Sequence, residues 1–208
     1  MSRARWLGTA VALVWSASAQ GSLVFDFENA SAGQGLPMDL TVGGVTAHFS
    51  SSGVGGYFVQ TPGNTILYTP VGFSGLCLVP SAVYGADLHI GFSEAVTDFS
   101  ILYAPQELAC DSSARLRVTA YMDAALVGTN TKVASPAGTW PSAKLVYTSA
   151  QPFNNVVVHY DAPPPTGGDY GVIFLADNVQ VTVAVPEVGS LGVVGLGVMV
   201  LLWRRRWL

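Results

Sequence analysis

Charge is scarce in this 208-residue sequence, where Asp, Glu, Lys and Arg together supply 11% of the chain. The shortage is also one-sided. Between Gln20 and Val185 only Arg115, Arg117, Lys132 and Lys144 are basic, four residues against twelve acidic ones, a net charge of −8. A segment so acidic is not drawn to phosphates, which excludes nucleic acid as a partner. Cysteine is nearly missing: Cys77 and Cys110 allow one bridge and exclude a disulfide-stapled miniprotein. The three histidines, His48, His89 and His159, fall inside strand-like runs without a zinc spacing such as H-E-x-x-H. "GFSGL" around Ser74 lacks the closing glycine of G-x-S-x-G, with Leu76 in its place. There is no phosphate-cradling loop and no internal repeat, and Glu28, Glu94 and Glu107 are scattered. The sequence therefore predicts that the chain is not an enzyme.

What it has in quantity is apolar residues, at 50%, with 23 Gly and 12 Pro. Such a chain is too apolar to be disordered, and its turn residues are too many for a helical protein. Alternation dominates: in "SLVFDFE" Phe25 and Phe27 share one face and Asp26 and Glu28 the other. "VTAHFS", "LHIGF" and "RLRVTAYM" repeat the pattern, and "FNNVVVHY" and "GVIFLADNVQVTV" are apolar enough for central strands. Clusters such as "SSGVGG" and "DAPPPTGGD" separate them. Ten or eleven short strands and no helix in the soluble part predict an all-β domain over 20–184, a two-sheet β-sandwich of jelly-roll type.

The two ends differ from this. Arg3 and Arg5, the apolar run Trp6–Trp15 and "ASA" at 17–19 have the layout of a secretory signal peptide over 1–19. Near the other end, Val188–Trp203 is an uncharged run of 16 residues, spanning ~24 Å as a helix and followed by Arg204, Arg205 and Arg206. That pattern predicts a single transmembrane helix over 188–203 with a cytoplasmic stop-transfer cluster and the domain outside. The order Val185, Pro186, Glu187, small residues, apolar helix and arginine cluster resembles the PEP-CTERM sorting segment of Gram-negative bacteria, here 185–208. Pro186 and Glu187 match the motif, and Val188 stands where the family has its second proline. The resemblance implies processing by an exosortase, at least transient membrane anchoring, export to the cell surface or extracellular matrix, and a biofilm-forming source.

"FDFEN", "GFSEAVTDFSILYA" and "FLADNVQV" resemble jelly-roll domains of the carbohydrate-binding-module type. In many of those the first and last strands are neighbours, and an acidic residue from each holds a structural calcium ion. Here the resemblance implies Asp26, Glu28, Asn29 and Asp177 as oxygen donors for Ca2+. Asp177 shares parity with Leu175, Val179 and Val181, which predicts a core-facing carboxylate, costly unless paired or metal-bound. The alternative is that Asp177 caps backbone N–H groups in a turn. Trp140 is the only Trp between the leader and the tail; it either stacks on a sugar ring, with Tyr57, Tyr103, Tyr121 and Tyr170 near it, or closes one end of the core. Cys77 and Cys110 are expected as a disulfide, or else as two buried thiols. The resulting expectation is an exported structural or adhesive protein; a carbohydrate-binding module on exopolysaccharide is the alternative and a secreted hydrolase the third.

Overall fold

The computed structural model describes residues 21–82, 85–105, 115–135, 140–161 and 173–184. Ten strands among them form one continuous antiparallel sheet, with a single short helix, α1 (Pro62–Ile66), between β4 and β5. The all-β expectation holds. The leader 1–19, the sorting residues Val185, Pro186 and Glu187, the apolar run 188–203, the arginines 204–206, Cys110 and Tyr170 lie outside the described residues. Among the described residues no helix is long and apolar enough to cross a membrane.

Two long strands fold this sheet over into a sandwich. β6 (Ala86–Pro105) and β9 (Ala143–Tyr160) pair along most of their length, but their register breaks between Gly91 and Val96 and again between Val96 and Asp98. On one side of the break lie β2 (Met38–Val42), β3 (Val45–Gly53), the first half of β6, the second half of β9, β7 (Arg115–Met122) and β8 (Ala125–Val133). On the other lie β4 (Tyr57–Gln60), β5 (Cys77–Pro80), β10 (Phe174–Val183), β1 (Leu23–Phe25) and the remaining halves of β6 and β9. The halves meet face to face. Phe25 on β1 packs edge-on against Phe49 on β3 at 6.5 Å between ring centres, and also touches Phe92. Tyr57 Oη of β4 donates to the carbonyl of Ala86, and Tyr103 Oη of β6 to that of Lys132 on β8, so both buried hydroxyls are satisfied across the core.

β10 positions everything that follows. Its inner edge pairs with β6, while its outer edge pairs first with β5, at Ala176 and Leu78, and then with β1, from Val179 to Val181. Between the two partners it carries a bulge: Asp177 lies opposite Leu102, yet Gln180 lies opposite Ser100. One extra residue reverses the side-chain alternation. Phe174 and Ala176 before the bulge, and Val179 and Val181 after it, all enter the main core. Leu175 instead joins a second, smaller apolar cluster on the opposite face, with Phe73, Cys77, Val79 and Ala104 beneath the segment that follows α1. Asp177 is buried as expected, at 1% exposure. Parity alone misassigns its side, because the bulge separates it from Val179 and Val181 and leaves it on the face of Leu102 and Leu175. The extra residue is absorbed at Asn178, whose φ of 48° is left-handed.

This geometry makes Asn178 a test of the bulge. Asn tolerates the left-handed region and a β-branched residue does not. Both variants lose the side-chain bond to Asp177; Asn178→Gly is expected to unfold in denaturant within about 1 kcal/mol of the parent, and Asn178→Val to lose about 2 kcal/mol or more because it adds backbone strain.

Candidate functional site

The outer face of the β10–β6–β9 layer carries two adjoining features. The first is a groove of about 350 Å³. Three strands run beneath it, and their register sets its shape: Gln180, Ser100 and Val146 form one row, and Thr182, Asp98 and Thr148 the next. Ser100, small and only 6% exposed, is the floor between the taller Gln180 and Val146. Lys144 lies beside Leu102 and reaches across β6, its Nζ donating to Gln180 Oε1 at 2.8 Å. Asp98 stands four residues along β6 from Leu102, about 13 Å away at strand rise, and its Oδ2 accepts from Thr97 Oγ1 at 3.1 Å. Ser22 completes one wall, and Asn130 of β8 donates to the carbonyl of the lining residue Val146 at 2.6 Å. Apart from Val146 the exposed lining is hydroxyl, amide, one ammonium and one carboxylate. A larger recess of about 560 Å³ lies at the end of the domain, but Gly21, Gly43, Gly44 and Ala184 supply much of its wall and Glu94 is its one charged side chain.

The second feature is the gap between β1 and β5, the two successive partners of β10. Asp177 fills it. Its Oδ1 accepts from Asn178 N at 2.7 Å and its Oδ2 from Asn178 Nδ2 at 3.2 Å, with a further bond from Ser74 N. Glu28, just past β1, turns back so that its Oε1 accepts from Leu76 N at 2.9 Å, while Glu28 N donates to Asp26 Oδ1 at 3.2 Å. The Glu28 carboxylate sits against Gly75, whose φ is 59°; a Cβ there would overlap it. Burial pushes the Asp177 carboxyl up to about 7; the Asn178 and Ser74 N–H groups oppose the rise, and the Glu28 and Asp26 charges add to it. Burial, followed by Asp177 and Glu28, also raises the Cys77 thiol, whose Sγ donates to the Gln60 carbonyl at 3.3 Å.

The structure thus brings Asp26, Glu28 and Asp177 within electrostatic reach of one another. Asn29 borders a small recess beside Asp26 and Asp39. Among the described residues no three His, Cys, Asp or Glu side chains converge closely enough to hold a metal ion, and the bonds just given are those of carboxylates capping N–H groups. Of the two readings of Trp140, its burial at 6% exposure favours a ring packed into the core over an exposed stacking platform. Tyr57 and Tyr103 are likewise buried. The histidines lie on the far face and are separately engaged: His48 Nδ1 with Asp39 at 2.7 Å, His89 Nε2 with Ser52 Oγ at 2.7 Å, His159 Nδ1 with Asp87 at 2.6 Å. Sequence reasoning passed over Lys144, Gln180, Ser100 and Asp98. Their only signal was the polar half of the alternation in "TDFSI", "AKLVYT" and "VQVTV".

No family model matches the chain, and no curated protein does. Solved structures with some likeness include the K2 adhesin domain of Lys-gingipain, at 11% identity over 78% of this chain and 99% of that one, with a TM-score of 0.49. The K1 adhesin domain of Lys-gingipain from Porphyromonas gingivalis W83 aligns at 11% identity over 79% and 99%, with a score of 0.41. The family 11 carbohydrate-binding module of the cellulosomal cellulase Lic26A-Cel5E of Clostridium thermocellum aligns at 9% identity over 83% and 100%, with a score of 0.36. These are loose likenesses, so the site's function has to be read from its own residues.

The raised Asp177 carboxyl has a consequence for stability. Its folded-state value lies above the unfolded value of 3.8. Below about pH 4 both states hold the proton and nothing is lost. As pH rises towards 7 the unfolded state releases the proton first. Folding therefore loses stability, by up to about 1.4 kcal/mol for each pH unit crossed, and the loss levels off above 7. In chelator, Asp177→Asn is expected to unfold at a higher temperature than the parent at pH 8 and to converge with it near pH 4, as read by thermal denaturation across that range.

Proposed function

We propose that this chain is an exported, non-catalytic carbohydrate-binding and adhesive protein whose β-sandwich holds extracellular polysaccharide in the groove between Lys144 and Asp98. The groove is the observation that carries this reading. Polysaccharides present rows of hydroxyls that both donate and accept, and Ser22, Ser100, Thr148, Thr182 and Gln180 offer the same two-way chemistry. Asp98 accepts from hydroxyl donors, and the half-exposed Val146 provides an apolar step for the C–H face of a ring. A rigid sheet presents these groups with little loss of side-chain freedom on binding.

The two ends fit this role. In the same proposal residues 1–19 direct secretion, and 185–208 form the sorting segment that an exosortase processes, with 188–203 in the membrane and Arg204–Arg206 on its inner side. The Cys77–Cys110 bridge would form after export; Cys77 is buried next to the gap between β1 and β5, where a link to Cys110 would brace the second apolar cluster. Calcium has a place in the reading as well. The Glu28 and Asp26 charges add to the cost that burial sets on ionising Asp177, and a divalent cation would relieve it; the side chains as placed do not converge on one point, so Asp26, Glu28 and Asp177, with Asn29 beside them, would have to draw together to serve as donors. Bound there, the ion would hold the gap closed; Glu28 would have to release Leu76 N to take part.

The test is a polysaccharide-binding screen with the purified full-length protein and a Ser100→Trp variant, which fills the groove floor from the solvent side. Saturable binding to at least one polysaccharide, weakened tenfold or more by Ser100→Trp at an unchanged circular-dichroism spectrum, is the expected result. Absence of binding to every polysaccharide tested, or binding indifferent to Ser100→Trp, contradicts the proposal.

A further inference from the structure

We infer that the groove selects an acidic polysaccharide, with a uronate carboxylate seated on Lys144; this rests on the carbohydrate reading above and narrows its ligand class. The starting point is how few cations this acidic domain has and how they are used. Arg115 and Arg117 are both committed to Asp161, at 3.6 and 3.4 Å. Lys144 is treated differently. None of the ion pairs among the described residues involves it, and its ammonium is fixed by the neutral amide of Gln180. An amide oxygen orients an ammonium without neutralising it. Of the three N–H donors, one is spent on Gln180, and two remain to be satisfied above a floor made by Ser100.

Position sharpens the point. Lys144 starts beside Leu102 and crosses diagonally to Gln180, whose own neighbour across β6 is Ser100, so the charge is carried over the groove. A surface lysine held only by solvation would extend away from the sheet. A charge-assisted hydrogen bond to a carboxylate is about twice as strong as a neutral one, and because Lys144 is exposed the contact is screened by salt. Neutral sugar hydroxyls would not need the ammonium. At the opposite end Asp98, flanked by Thr148 and Thr182, accepts hydroxyl donors and repels a second carboxylate. The ammonium is held in the Gln180–Ser100 row, two residues along β6 from Asp98 and so about 7 Å from its row at strand rise, which lets neighbouring sugar rings place an acid at one and a hydroxyl-bearing ring at the other. The ligand chemistry that satisfies both ends is a uronic-acid-containing polymer in which a carboxylate meets Lys144 and hydroxyls meet Asp98. A bare polyanion with acid at every contact is disfavoured at Asp98.

The experiment uses full-length protein and matched pairs of oligosaccharides: galacturonate, mannuronate and glucuronate oligomers, each with the same oligomer after reduction of its carboxyls to alcohols. Titration calorimetry at low and high salt reads the affinities. At least one acidic oligomer is expected to bind tenfold or more tightly than its reduced partner. That preference should shrink to twofold or less in Lys144→Gln, survive in Lys144→Arg, and weaken with salt, while the reduced oligomer binds Lys144→Gln as it binds the parent. Reduced oligomers that bind as well as acidic ones, or a preference untouched by Lys144→Gln, would overturn the acidic assignment and leave the carbohydrate reading standing; the Lys144–Gln180 bond would then be a tie across the sheet only. If neither the acidic and reduced oligomers nor any neutral polysaccharide in the screen binds, both fall.

Discussion

One extra residue in β10 decides which side chains this protein offers to its surroundings. Without the bulge between Asp177 and Gln180, the run from Leu175 to Val183 would keep a single parity. Leu175, Val179 and Val181 would then compete for one face, and Gln180 and Thr182 would share a face with Phe174 and Ala176. The left-handed turn at Asn178 resolves this. It lets β10 fill the main core throughout, place Leu175 in the second apolar cluster and Asp177 in the gap between β1 and β5, and then return Gln180 and Thr182 to the solvent as one wall of the groove. The same residue marks the point where β10 exchanges β5 for β1. A bulge at a partner switch leaves a hole in the sheet's hydrogen-bonding edge, and a carboxylate that can accept several N–H bonds is the side chain suited to plug it.

The electrostatics follow from that placement. Burying Asp177 near Asp26 and Glu28 concentrates negative charge on one side of the bulge, and the unneutralised Lys144 stands on the other, bonded to Gln180 three residues beyond Asp177. The acidic side holds the sheet together, because it ties the segment after α1 to β10 through Ser74 N and Asp177 and to the end of β1 through Leu76 N and Glu28. The cationic side is open. Structural and recognition roles are therefore adjacent yet carried by different side chains, and a change in the charge of Asp177 acts on the fold before it acts on the groove.

Much of the architecture was legible because apolar alternation is a direct record of which face is buried. Phe25, Phe49, Leu88, Ile90, Leu116 and Val118 all entered the core as their parity required, and the pairing of β1 with β10 agrees with the neighbouring ends implied by the jelly-roll resemblance. The burial of Asp177 was legible for the same reason. Its side was not, since parity assumes an uninterrupted strand, and Asn178 is one of the residue types that can break it. Trp140 illustrates a different limit: a Trp beside a proline fits a platform or a plug equally well, and only packing around the ring decides. The groove was hidden because Lys144, Ser100 and Gln180 come from three strands far apart in the chain, and each alone is an ordinary solvent-facing polar residue.

The central claim is that the bulge buries a carboxyl whose ionisation is pushed well above the ordinary carboxylate range. The most direct measurement is a carboxyl-carbon NMR titration of Asp177 in the calcium-free protein, assigned by comparison with Asp177→Asn. The account predicts a midpoint near 7, well above the carboxylates exposed to water. A midpoint near 4 would contradict it, because burial would then not dominate the carboxyl, and Asp177 would be either solvated or held as a charge by its N–H bonds.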